Sequence, residues 1–107
     1  MISRERLIAS INHREPDKIP LDIGSIIVAG IQAVIYKKLK DVLEVRSGDI
    51  YVYDVIQQLA LVEDEVREKL GIDTISIIPD KLSDLRERTM SDGTPCKYPE
   101  RVGYFYS

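Results

Sequence analysis

The run Ile72-Asp73-Thr74-Ile75-Ser76-Ile77-Ile78 reads as a β-strand, because it is rich in β-branched residues and Pro79 closes it. Upstream, Ile19, Leu21 and Ile23 alternate with Lys18, Pro20 and Asp22, a second and shorter strand that stops at Gly24. Pro20 lacks an N–H and suits the start or an edge of that strand. Helical patterns fill the interval between the two. Strand, helices, strand is the order of a right-handed βαβ crossover with parallel pairing.

Working outward, the residues before the first strand predict a helix. Ser3 serves as its N-cap, Glu5 faces the positive end of the dipole, and Leu7, Ile8 and Ile11 make a narrow apolar stripe. The polar segment Asn12-His13-Arg14-Glu15-Pro16-Asp17 ends it. A helix over about 29–43 aligns Ile31, Val34, Ile35, Leu39, Val42 and Leu43, with Lys37, Lys38 and Lys40 on a solvated face. After a loop at 46–49, Val52, Val55, Ile56 and Leu59 suggest another helix. A short one follows, N-capped by Asp64, carrying Val66 and Leu70 and closed by Gly71. Beyond Pro79, Leu82 and Leu85 allow a turn or two of helix before Thr89. In the tail, 80–107, Asp92-Gly93 signals a turn or hairpin, and Tyr104-Phe105-Tyr106 reads as an apolar tail that packs on this chain or a partner.

Composition narrows the classes of function. The 107 residues are 44% hydrophobic and 31% charged with a formal charge of −3, the profile of one globular unit spanning 1–107. A pI near 5.1 argues against a nucleic-acid or anionic-membrane surface. Cys96 is the single cysteine, so no internal disulfide forms and a reducing compartment is expected; with His13, the single histidine, it falls short of a structural zinc set. The longest apolar run, 26–29, is far below the ~20 residues of a membrane span, and no signal-peptide stretch follows the N-terminus. These features point to the cytoplasm. A two-stranded parallel sheet, however, leaves its edges open. Such a chain either meets a partner or begins something longer.

The residues Ser3-Arg4-Glu5-Arg6-Leu7 with Asn12-His13-Arg14-Glu15-Pro16-Asp17-Lys18-Ile19-Pro20 resemble the start of the uroporphyrinogen decarboxylase superfamily. The helix Gly30-Ile31-Gln32-Ala33-Val34-Ile35-Tyr36-Lys37-Lys38-Leu39 is similar to its branch of cobalamin-linked methyltransferases. So are Tyr53-Asp54-Val55-Ile56-Gln57-Gln58-Leu59-Ala60, Glu65-Val66 and Leu70-Gly71-Ile72-Asp73. The likeness runs from about Ser3 to Pro79 and rests on order and spacing. It implies a (β/α)8 barrel, of which this chain would hold the N-terminal helix and the first two strand units. Such barrels run to ~200 residues or more and place their active sites at the C-terminal ends of the strands. The positions there are Asp22 and Gly24 as substrate-binding candidates and Asp80, after strand two, as the catalytic candidate that the resemblance implies.

The departures from the family are informative. Its decarboxylases carry an arginine-rich segment after the first strand, whereas this chain has Gly24-Ser25-Ile26-Ile27-Val28, without a cation to grip substrate carboxylates. Porphyrinogen decarboxylation is therefore not expected. The methyltransferase branch implies zinc, a corrinoid and a corrinoid-protein partner, but those metal ligands belong to the later barrel. The expectation is an N-terminal barrel segment that is inert by itself. The alternative is a small non-catalytic relative that closes its open sheet edge on itself or on a partner chain.

Each candidate has a plainer reading. Asp22 can cap the turn after the strand, Asp80 can cap a helix, and Tyr53-Asp54 can sit at a helix start facing solvent. His13 fits a helix C-terminus, and Cys96, flanked by Pro95 and Lys97, fits a simple free thiol.

Overall fold

A computed structural model gives the conformation of residues 1–77 and 85–99. Among the described residues three α-helices and four β-strands follow one another in the order α1 (Ser3–Ile11), α2 (Ala33–Val42), β1 (Val52–Asp54), β2 (Leu59–Ala60), α3 (Asp64–Leu70), β3 (Leu85–Thr89) and β4 (Pro95–Pro99). A 3-10 turn, Ile27–Ala29, precedes α2. The mixed α and β content agrees with the sequence, but the pairing does not. Both sheets are two-stranded and antiparallel, β1 with β2 and β3 with β4.

The segments 19–23 and 72–77 are not strands. They do touch: the Asp73 N–H donates to the Leu21 carbonyl at 2.9 Å, and the Leu21 N–H donates to the Asp73 carboxylate at 2.9 Å. A side chain thus takes the donor that a ladder would use, and one backbone bond is too little to define a sheet. Ile78 and the predicted helical turn at Leu82 lie outside the described residues.

The predicted helix over 52–59 is a β-hairpin. A helical stripe would bury Ile56 with Val52 and Leu59, yet Ile56 is 67% exposed. Asp54 decides the matter locally, since its carboxylate accepts the Ile56 and Gln57 N–H groups at 3.1 Å and so folds the chain into a turn. The turn expected at Asp92-Gly93 is present as the bend of the β3–β4 hairpin, where Leu85, at the end of the expected helical turn, begins a strand. Isolated bridges join the two hairpins to each other and the first hairpin to the segment before α2. Lys97 N–H donates to Ile50 C=O at 2.8 Å beside β1, and Ala60 N–H donates to Ile31 C=O at 2.8 Å beside β2.

All three α-helices stop in the same way. The residues at the left-handed position are His13 (φ 57°), Glu44 (φ 59°) and Gly71 (φ 68°). Past each, the next N–H reaches back five residues: Arg14 to Ala9, Val45 to Lys40, Ile72 to Arg67, all at 2.8–2.9 Å. This is the Schellman arrangement, which satisfies the last free carbonyls. Gly71 closes α3 as expected, and His13 is part of the C-terminal cap of α1. Two N-termini shift by one residue: Ile2 precedes α1 and Glu63 precedes α3.

The core gathers Ala33, Tyr36, Val45, Ile50, Val52, Ala60, Val62, Val66, Met90 and Cys96 between α2, α3 and the hairpins. The buried faces differ in part from the predicted ones. On α1 it is Arg6 and Ala9 that are buried, while Ile8 and Ile11 are exposed. On α2 Ala33, Tyr36 and Lys40 are buried; of the predicted stripe Ile31, Val34, Leu39 and Leu43 pack against the core, while Ile35 and Val42 are exposed. In both helices a charged residue lies on the inner face because a carboxylate waits there, described next.

Candidate functional site

Asp73 organises the first polar cluster. Its side chain is 1% exposed and accepts hydrogen bonds from Ser3 Oγ at 2.8 Å, from Arg6 Nη1 and from the Leu21 N–H. Arg6 also donates through Nε to Asp17 at 2.7 Å. One guanidinium thereby ties α1 to the polar loop before the first segment read as a barrel strand and to the second such segment itself, with the planar fork that arginine offers. Ser3, predicted as an N-cap, spends its hydroxyl on this clasp. The Leu21 N–H, Ser3 and Arg6 hold the Asp73 carboxyl below the usual carboxylate range against the cost of burial. The hydrogen bond from Arg6 likewise holds the Asp17 carboxyl well below the usual carboxylate range, and the same contact raises Arg6.

Directly beyond the clasp lies Asp22. Its carboxylate accepts from Ser25 Oγ at 2.6 Å, from the Ser25 N–H at 3.2 Å and from Thr74 Oγ1 at 2.6 Å. Burial pushes its carboxyl up, but the Ser25 and Thr74 hydrogen bonds outweigh that and the net shift is downward. Asp22 thus caps the turn and bridges to the second segment. Gly24 sits beside it at φ 87°, where an added Cβ would fall 2.7 Å from Val62 Cγ2. Glycine is required there on both counts. The structure brings Asp22 and Gly24 together; Asp80 lies outside the described residues.

A second cluster surrounds Lys40, which the sequence placed in solvent. Its ammonium is buried, donating to Glu63 at 2.6 Å and to the Ser47 carbonyl at 3.0 Å. Tyr36 Oη accepts the Glu63 N–H at 2.8 Å and donates to the Glu63 carboxylate at 3.1 Å. Burial pushes the Tyr36 hydroxyl up, so it stays protonated. Tyr53, by contrast, has a buried hydroxyl with no hydrogen-bond partner among the described residues. Asp54 is buried as a turn former rather than facing solvent at a helix start.

Sequence reasoning did not single out Arg6, Lys40 or Glu63. The available signal was charge on the inner face of a helix: Arg6 stands three residues before Ala9, and Lys40 four after Tyr36. Cys96 is buried and its thiol is pushed up by burial, the opposite of an activated nucleophile. Among the described residues no three His, Cys, Asp or Glu side chains gather to hold a metal ion, so no step through zinc is assigned to them. No described helix is long and apolar enough to cross a membrane. No family model, curated protein or solved structure matches this chain.

Proposed function

We propose that this chain is the N-terminal segment of a uroporphyrinogen decarboxylase-like (β/α)8 barrel of the corrinoid-dependent methyltransferase type, inert by itself. The observation that carries the reading is the contact between the two segments. Leu21 meets Asp73 and Asp22 meets Thr74, so the contacts advance in the same direction along both. That is the sense of a parallel pair, and α1 is clasped across its N-terminal side by Arg6. In a complete barrel the pair would gain flanking strands, and Asp22 and Gly24 would lie toward the C-terminal mouth, where substrates bind. There Asp22 would offer a carboxylate already held ionised by Ser25 and Thr74. Asp80 is the proposed catalytic carboxylate after strand two. Zinc, the corrinoid and their protein partner would be met by the rest of the barrel.

A second reading draws on the same open edge. Ile19 and Ile77 are 80% and 91% exposed, and a second copy of the chain, or another protein, could cover them without any catalysis. The size of the protein in its source cells separates the two. An antibody raised against this segment should detect a species several times heavier than 12.2 kDa. That larger species should bind a corrinoid. A species of 12.2 kDa would overturn the barrel reading and leave the self-associating protein.

A further inference from the structure

A cleft of about 730 Å³ opens between α2, the loop after it and the β3–β4 hairpin. That size suits a small organic molecule, for which pockets run to ~300–1,000 Å³. It shares no residue with Asp22, Gly24 or Asp73 and lies wholly within this chain, so it stands apart from the barrel reading.

Its floor is apolar, made by Val45, Ile50 and Cys96, which are all buried. Its rim is charged, with five cationic side chains against three carboxylates. Three of the cations are already paired. Lys37 binds Asp41 at 2.6 Å, Lys97 binds Asp49 at 2.9 Å, and Lys40 binds Glu63 at 2.6 Å. The third rim carboxylate, Glu87, stands opposite Lys97 in the hairpin register. Arg46 and Arg88 remain, and neither has a carboxylate partner among the described residues. Arg88 lies over the Tyr98 ring at 5.9 Å from its centroid, a contact that takes up no carboxylate. Two uncommitted guanidiniums therefore border one concave, apolar-floored space in a chain whose overall charge is −3.

We propose that this cleft binds a small organic oxyanion, with its phosphoryl or carboxylate group held by Arg46 and Arg88 and its body resting on Val45, Ile50 and Cys96. A planar guanidinium matches either group through paired N–H donors. The site is open to water, so binding weakens as salt screens the charges.

The test uses the 107-residue chain, titrated at low ionic strength with phenyl phosphate, inorganic phosphate and benzoate while backbone amide NMR shifts are followed. Saturable shifts should concentrate at 45–50 and 86–97. Arg46→Gln or Arg88→Gln should each weaken binding at least ~10-fold, the scale of one lost charge-assisted hydrogen bond. Arg14→Gln, outside the cleft lining, should leave it unchanged. Response to phenyl phosphate alone assigns a phosphoryl ligand, to benzoate alone a carboxylate, and to both an oxyanion site of broad acceptance. Should a glutamine variant unfold, Arg46→Lys and Arg88→Lys replace it and should weaken binding severalfold, since they keep the charge and lose the fork. No saturable shift with any probe would overturn the proposal. Equal weakening by Arg14→Gln would do so too, because binding would then be diffuse.

Discussion

Asp73 sits inside a β-branched run and accepts from α1, from Arg6 and from the Leu21 backbone at once. Its carboxyl and that of Asp17 are held below the usual carboxylate range, so in acid the folded state binds fewer protons than the unfolded one. Their stabilising contribution is therefore complete above about pH 4 and is lost as pH falls from there through the folded values. Urea midpoints measured at pH 7, 5, 4 and 3 should be level at first and then drop. Asp73→Asn should be less stable at pH 7 and show a shallower drop; an unchanged acid slope would refute the assignment. The tyrosines make a second pair of opposites. Tyr36→Phe strips the Glu63 N–H of its acceptor and should cost about 1–2 kcal/mol. Tyr53→Phe removes a buried hydroxyl that has no partner among the described residues and should be neutral or stabilising. Chemical denaturation of both variants compares them directly.

The helix ends show how sequence and geometry can part. Gly71 takes the left-handed position without strain, whereas His13 and Glu44 occupy it with a Cβ. Gly71→Ala should cost about 1 kcal/mol, and Glu44→Gly should gain up to ~1 kcal/mol, read from denaturation midpoints. The glycine made the end of α3 legible, and Asp92-Gly93 did the same for the β3–β4 hairpin. The β1–β2 hairpin was hidden because Val52, Val55, Ile56 and Leu59 fit a helical period while its turn is made by an Asp54 side chain, which spacing alone does not reveal. The charged part of the inner faces of α1 and α2 was hidden for a related reason, although Val34, Leu39 and Leu43 of the apolar stripe on α2 do meet the core. Apolar stripes locate a core, but Arg6 and Lys40 are buried by carboxylates 11 and 23 residues away in sequence. Of the candidate site, Asp22 and Gly24 were legible from their place at the end of an alternating run. The clasp at their side was not, since its partners are 67 and 70 residues apart.

At the scale of the molecule the outstanding property is uncovered apolar surface. Ile19, Val28, Ile75 and Ile77 are all at least 63% exposed. The extents are 44 × 36 × 19 Å, and the radius of gyration of 15.4 Å exceeds the ~13 Å of a closed domain of this length. Such a surface seeks cover, whether from further barrel strands or from another chain. The isolated chain should accordingly bind a hydrophobic dye and sediment faster as its concentration rises. Ile19→Lys with Ile77→Lys should reduce both effects. A monomer that binds no dye at any concentration would contradict the openness of this face. The clasp adds a matter of timing. α1 is synthesised before Asp73, so Arg6 has no Asp73 to hold until 67 more residues have been joined. At ~5–20 residues per second that wait is about 3–13 s. Throughout it the nascent helix carries a guanidinium meant for burial, and chaperones or early-folding neighbours meet it in a form that the finished protein never shows.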